Sequence, residues 1–562
     1  MRRTSALGRR TSYVLLLSPF LLTLLYFASS RSSFDLLTLV PISLPSQSHE
    51  LDEWWSSFYS HVEASQPYAA PVQIDGMGPI ASFWKPNTTN ARPTLTDLSA
   101  VDEANMRASH AFFIAGLPKL AERLPYDPDT TGIVTVTDEG SFGQVISMLL
   151  IARQSGSQLP IHIVLESSAG WIDYFCTHEL RQLNGKCIYL HDVWGKLPSV
   201  LQLNPFQAKT ISIMASSFQN VLFLDPSVLP VINPDTIFTP SSEPFASTGY
   251  IAWPDLWTSV VSPQFYTIAG DVQVPSLTAR AASDRGVLAI DKARHADTIL
   301  LSAYYNYYGT DYYSLLLTQS PHSEGNEENI FQAALVLDAL GKKTETGYRY
   351  AQPTQWMEKE SHSPNLSKKK KGYWDVKILP QVYPVTRDGK TRSLLLQQID
   401  PREDYRAVMA AIEAADKQDE EKQARRTRDV PGSQTQSDGP GASFNPNDIT
   451  EFLTNSSFLD SASNLTLDHD PAKILFFHYS SGVKLDFFTL SKSNNDKTKP
   501  ITPLSAEEKM AKRLWGDPAW IVERTGRDVE KLLWKDAMEV WCRIAKFREA
   551  CDRMREVWDE VY

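Results

Sequence analysis

From Thr131 onward, apolar runs of strand length alternate with stretches of helical period. Residues 132–136 (GIVTV) read as a buried strand and residues 142–153 as an amphipathic helix. A second strand is expected at 161–166, after Pro160, then a helix at 171–183 and a strand at 187–191. A helix at 206–217 leads into the apolar strand 221–224. Short buried strands separated by helices predict an α/β fold with a mainly parallel, Rossmann-like sheet and helices on both faces. Beyond Pro240 the rhythm loosens. A strand feeding a loop is expected at 248–255, an apolar run at 286–290, helices at 297–308 and 329–340, and a late strand at 473–479. Apolar and Trp residues recur at helical spacing in the tail, 506–562, which reads as a packing stripe.

The N-terminal pattern differs. Arg2, Arg3, Arg9 and Arg10 precede a charge-free stretch, 11–30, whose length suits one membrane span of roughly 20 residues. The positive-inside rule then makes 1–10 a cytoplasmic tail and puts the rest of the chain in a lumen or outside the cell. A cleaved signal peptide ending near Ala28-Ser29-Ser30 is the competing reading. Residues 31–125 read as a stem with a lead-in helix near 98–120. Residues 126–360 form the main domain and 373–414 its continuation. The segments 361–372, with four consecutive lysines, and 415–447, charged and then rich in Gly, Pro, Ser and Gln, read as disordered insertions. Residues 448–562 close the domain with a helical tail.

At 562 residues and 42% hydrophobic composition, the chain can bury a sizeable core. A net charge of -11 argues against broad nucleic-acid binding. Sequons at Asn87, Asn365, Asn455 and Asn464 agree with a lumenal location. The four cysteines form two local pairs, Cys176 with Cys187 and Cys542 with Cys551, which an oxidising lumen could close. No Cys-x-x-Cys or histidine cluster supports a metal reading of them. On one continuous helix, Cys542 and Cys551 would stand about 13 Å apart, beyond disulfide reach. They therefore sit on separate helices, pair elsewhere, or stay free.

Asp225 ends the strand 221–224, and ligands of open α/β sheets bind beyond the carboxyl ends of strands. A carboxylate there can hold a divalent cation, although Asp and Pro also punctuate ordinary turns. The neighbouring segments, in order, resemble the fungal Golgi α-mannosyltransferase family. The resemblance runs over about 132–348 and resumes near 398–401 and 478–484. It rests on Cys176 and Cys187 flanking a helix, Lys209, Ser216-Ser217-Phe218 and VLFLD, then Pro230, Asn233-Pro234 and Phe238. Thr248-Gly249, Trp253-Pro254-Asp255, Ile290-Asp291-Lys292 and Arg294-His295 complete it.

The resemblance implies a GT-A fold in a single-pass type II protein of the Golgi membrane. It further implies Mn²⁺, GDP-mannose as donor, a mannose-containing glycan or glycoprotein as acceptor, and a retaining α-1,2 or α-1,3 transfer. A complex with other Golgi mannosyltransferases is a further expected partnership. Asp225 and His478 become the metal candidates. Lys209, Trp253, Asp255 and Lys484 become substrate contacts, and Asp284 and Glu327 become candidates for sugar contact or proton transfer. The departures are specific. The family's Asp-x-Asp reads Asp225-Pro226-Ser227, its Glu-Ser-Gly-Gln reads Asp284-Arg285-Gly286-Val287, and its Gly-Asp-Lys-Asp-Thr-Phe begins Asn326-Glu327-Glu328-Asn329. Serine substitutes poorly for a carboxylate on a hard cation. Three readings follow: an active transferase with an altered site, in which Asp225, Glu327, Glu328 or His478 surround the metal or Arg285 substitutes for it; an inactive lumenal paralogue that binds glycans or supports a transferase complex; and a membrane-anchored structural protein.

Overall fold

The computed structural model describes residues 47–76, 78–79, 82–85, 91–165, 170–190, 192, 205–320, 328–343, 350–351, 371–377, 379–387, 390–428, 474–479, 505, 513, 515, 517–544 and 548–562. The chain divides into two compact units, Met1–Glu53 and Trp54–Tyr562. The described part of the first is the start of helix Gln47–Ala64. The membrane span expected at 11–30 lies outside the described residues. Among those that are described, no helix is long and apolar enough to cross a membrane.

In chain order the strands are β1 (Gln73–Ile74), β2 (Thr96–Asp97), β3 (Asp127–Thr137), β4 (Ile161–Leu165), β5 (Gly185–Tyr189), β6 (Phe218–Leu224), β7 (Val228–Pro230), β8 (Tyr250–Pro254) and β9 (Ser283–Asp291). They continue with β10 (Tyr350–Ala351), β11 (Lys371–Gly372), β12 (Trp374–Asp375), β13 (Gln381–Arg387), β14 (Lys390–Ile399) and β15 (Ile474–Tyr479). Seven strands form the central sheet in the order β12-β8-β9-β6-β3-β4-β5. Every pair is parallel except those of β9, which runs antiparallel to both β6 and β8. The expected mixed α/β architecture is present, and β9 supplies the one reversal. A four-stranded antiparallel sheet, β13-β14-β15-β7, stands beside it.

Burial explains the strands. Ile161, Ile163, Val164 and Leu165 are all fully covered, as expected where helices flank both faces. Helix Phe142–Gln154 is buried from Phe142 to Ala152 rather than amphipathic, because helix Val529–Trp541 packs over it. That tail helix starts at Asp528, whose side chain accepts from the Lys531 amide, and buries Leu533, Trp534, Ala537 and Trp541. The packing stripe read in the tail is therefore core. Helix Val529–Trp541 ends before Cys542, and Arg548–Val561 begins a new helix. The Cys542–Cys551 disulfide joins the two with a Cα–Cα separation of 5.1 Å. Cys176–Cys187 closes the other local loop, onto β5.

Three expectations are corrected. The stretch read as stem carries helix Gln47–Ala64, whose Trp54, Trp55, Phe58 and Val62 are buried. Those positions recur at helical spacing, and their aromatic bulk fixes the helix to Ala100–Ala121, where Trp54 Nε1 donates to the Leu120 carbonyl at 3.2 Å. Residues 415–428, read as disordered, continue helix Pro401–Arg428; their Ala, Glu, Gln, Lys and Arg are good helix formers. Lys371–Gly372, at the end of the other expected insertion, is strand β11.

Candidate functional site

Pairing of β6 with β9 brings Leu224 opposite Val287, so the end of β6 meets the start of β9. The Asp225 amide donates to the Gly286 carbonyl at 2.8 Å. Asp225 is partly exposed at this sheet end. Its Oδ1 accepts from the Ser227 amide at 2.9 Å and from the Ser227 hydroxyl at 2.5 Å. Ser227 thus closes a turn around the carboxylate, an Asx-type use of aspartate.

Behind this turn lies a buried polar group assembled from three strands. His478 on β15 pairs in register with Val228 of β7 and Leu396 of β14. Its Nδ1 meets Asp284 Oδ2 at 2.8 Å. Gln398 Nε2 donates to the same oxygen at 2.6 Å and to the Pro254 carbonyl at 2.8 Å. The Gly286 amide donates to Asp284 Oδ1 at 2.7 Å. Burial alone would discharge Asp284, but the neighbouring His478 charge and these hydrogen bonds outweigh it and hold the carboxyl below its usual range. Burial likewise disfavours the charged imidazole. Asp284 above all, then Asp225 and Asp255, reverse that and hold His478 above its usual range. Glycine is needed at 286, because an added Cβ would stand 2.6 Å from Val228 Cγ2 and 2.9 Å from His478 Nε2.

A second buried cluster lies toward β8 and β12. Arg280 donates to Asp375 at 2.9 Å, Glu328 at 2.7 Å and Ser283 Oγ at 2.6 Å, and its guanidinium covers the Phe331 ring at 3.6 Å. Glu328 also accepts from the Ser259 hydroxyl at 2.6 Å and the Ser283 amide at 3.1 Å. Asp375 is held below the usual carboxylate range, against its own burial, by Arg280 and then Lys377.

The expected residues sort as follows. Asp225, Asp284 and His478 meet at one sheet end. Asp284 is spent entirely on internal partners. Lys209 Nζ reaches the same end, donating to the Arg285 carbonyl at 2.6 Å above the Phe223 ring. Asp255 is buried, its Oδ1 accepting the Leu256 amide at 2.6 Å and its own amide donating to the Ala282 carbonyl. Trp253 is fully buried, its Nε1 donating to the Ile399 carbonyl at 2.9 Å against Phe476. That places it in the packing beneath the site, not on a substrate-facing wall. Glu327, Lys484 and the sequon residues Asn87, Asn365, Asn455 and Asn464 lie outside the described residues. Sequence reasoning missed Arg280 and Asp375, which carry no local motif.

The described donor set does not by itself fit a divalent cation; Glu327 lies outside it. Among the described residues, no three His, Cys, Asp or Glu side chains gather in a way that could hold a metal ion. Asp225 contributes one carboxylate with an oxygen already engaged by Ser227, and His478 meets Asp284 through Nδ1.

Residues 130–280 and 276–371 match the family model described as "Mannosyltransferase putative". The α-1,2-mannosyltransferase MNN24 of Candida albicans is 34% identical over 231 residues, covering 35% of this chain and 32% of that protein. The α-1,2-mannosyltransferase MNN5 of Saccharomyces cerevisiae is 29% identical over 270 residues, covering 39% and 45%. The chain thus spans less than half the length of either relative. The glycosyltransferase GlyE of Streptococcus pneumoniae superposes with a TM-score of 0.24 at 12% identity, over 35% of this chain and 44% of that one, a likeness too low to carry an argument.

Proposed function

Because this chain belongs to the fungal α-mannosyltransferase family, we propose that it transfers a mannosyl group from GDP-mannose to a hydroxyl of a mannose-containing glycan, with retention at the anomeric carbon. The relatives' names favour an α-1,2 linkage over α-1,3. On this reading the central sheet is a GT-A sheet, and the protein acts in the Golgi lumen behind an N-terminal anchor.

The observation that carries the reading is Asp225 at the carboxyl end of a central strand, with Asp284 and His478 directly behind it. Ligands of such sheets bind at that end. Asp225 then faces the donor. Asp284 acts as a positioning residue, because Gln398, Gly286 and His478 use its oxygens. The Asp284–His478–Gln398 bonds lock β9, β14 and β15 into one wall, and a fixed wall is what orients a sugar for in-place attack. Manganese is the cofactor expected from the family. No step is assigned to it, because the described carboxylates do not form its site.

The test is transfer by the purified protein from GDP-mannose to an α-mannobiose acceptor, read by mass spectrometry and linkage-specific mannosidase digestion. A product one hexose larger supports the reading. Absence of product, with GDP-mannose bound but never consumed, would leave a glycan-binding paralogue as the better account.

A further inference from the structure

An aromatic pair stands open to water just past the carboxyl end of β8. Phe83 and Trp257 form an antiparallel bridge, and their rings stack at 4.7 Å with 10° between the planes. Backbone bonds on both sides fix the pair: the Trp84 amide donates to the Leu256 carbonyl at 2.8 Å and the Thr258 amide to the Ser82 carbonyl at 2.9 Å. Trp84 takes the opposite face, as alternation along an extended segment requires, and is buried with its Nε1 donating to the Leu277 carbonyl at 2.7 Å. Trp84 and the backbone therefore anchor this segment without help from the Phe83 ring. Phe83 is 56% exposed although one of its faces covers Trp257, so its outer face meets solvent. Trp257 is itself partly exposed.

Register places the pair beside the candidate site. Phe223 of β6 and Ala252 of β8 both pair with Leu288 of β9, so they stand at one level of the sheet. Asp225 lies two positions beyond Phe223, and Trp257 five beyond Ala252. At about 3.3 Å per residue, Trp257 is about 10 Å farther out than Asp225, and two strand spacings set it about 10 Å to the side. The Trp257 carbonyl accepts the Ala282 amide at 2.7 Å, two residues before Asp284. The pair is thus built onto the wall that carries Asp284, within reach of a short oligosaccharide that ends at the site.

We propose that the Phe83–Trp257 stack holds a hexose ring of the acceptor glycan, away from the reacting hydroxyl. The proposal rests on the mannosyltransferase reading for the identity of the acceptor. A pyranose has an apolar C–H face rimmed by hydroxyls, and dispersion holds such a face against an aromatic ring. The Ser82 and Thr258 hydroxyls, 3.3 Å apart, and the exposed Lys85 supply a polar rim beside the rings. One outer ring face matches one sugar and is far smaller than the roughly 800 Å² per partner of a stable protein contact.

The experiment is calorimetric titration of the full chain with α-mannobiose and with α-mannopentaose, without donor. Phe83→Leu keeps an apolar side chain and removes the flat face, Phe83→Tyr keeps the face, and each is checked for an unchanged unfolding midpoint. We expect the pentaose to bind more tightly than the biose. Phe83→Leu should weaken pentaose binding about threefold to tenfold, the loss of one ring contact, and Phe83→Tyr should retain it. Equal pentaose affinity in the unaltered chain and Phe83→Leu would overturn the proposal, as would no pentaose binding at all; transfer to α-mannobiose would then still stand for the mannosyltransferase reading. Ring-dependent pentaose binding with no transfer would keep the glycan site and reject the enzyme. Binding that appears only in Asn87→Gln would mean that a glycan on the chain itself covers the pair, and self-association lost in Phe83→Leu would assign the pair to a second copy; either would overturn the acceptor assignment.

Discussion

Acid should destabilise this protein through a histidine that has no part in the site. His162 sits on the central strand β4, buried, with its ring stacked on Phe218 at 4.0 Å and its Nδ1 without a hydrogen-bond partner. Burial, and secondarily the charges of Lys186 and Lys292, push its pKa down to about 3. The unfolded chain therefore takes up a proton near the ordinary histidine value of 6.5 that the folded chain refuses. The stability is fully present above that value and drains away as pH falls toward the folded pKa. Between about pH 8 and about pH 5 the loss from this one group comes to about 2 kcal/mol. At an m of about 3 kcal/mol per M, that is about 0.7 M in the urea midpoint. His110, equally buried against Tyr305, adds a loss of the same sign. His478 works in the opposite direction, since its raised pKa gives stability below 6.5 that is lost as pH rises. Asp284 and Asp375, held below the usual carboxylate range, are silent until pH falls under about 4. The wild-type slope is therefore a sum of opposed terms, and the informative quantity is a difference. Urea unfolding of wild type and His162→Leu at both pH values should show the variant losing about 2 kcal/mol less on acidification. Equal losses in the two proteins would refute the reasoning and mean that His162 is protonated in the fold.

Three further outcomes follow from packing. Gly132→Ala should cost about 1–3 kcal/mol by urea unfolding, because the new Cβ would stand 2.2 Å from Phe218 Cε2. Arg280→Met should cost about 3–5 kcal/mol in the same assay, since it strands the buried carboxylates of Glu328 and Asp375. Replacing both Cys542 and Cys551 by serine should cost about 3 kcal/mol, the entropy of a loop of about ten residues, and reduction of the wild type should match it.

The alternation of apolar runs and helical periods was enough to read β3, β4, β6 and their helices, because each is a local pattern. The direction of β9 was not legible. An apolar run such as 286–290 looks the same whichever way it pairs, and only the register of β9 on β6 and β8 shows the reversal. Helix 47–64 was legible in retrospect from the spacing of Trp54, Trp55, Phe58 and Val62. Its solvent side, with Glu53, Ser56, Ser57, Ser60 and Glu63, masked the stripe. The site follows the same division. Asp225 announces itself at a strand end. Asp284, Gln398 and His478 do not announce one another, since 114 and 194 residues separate Asp284 from its partners.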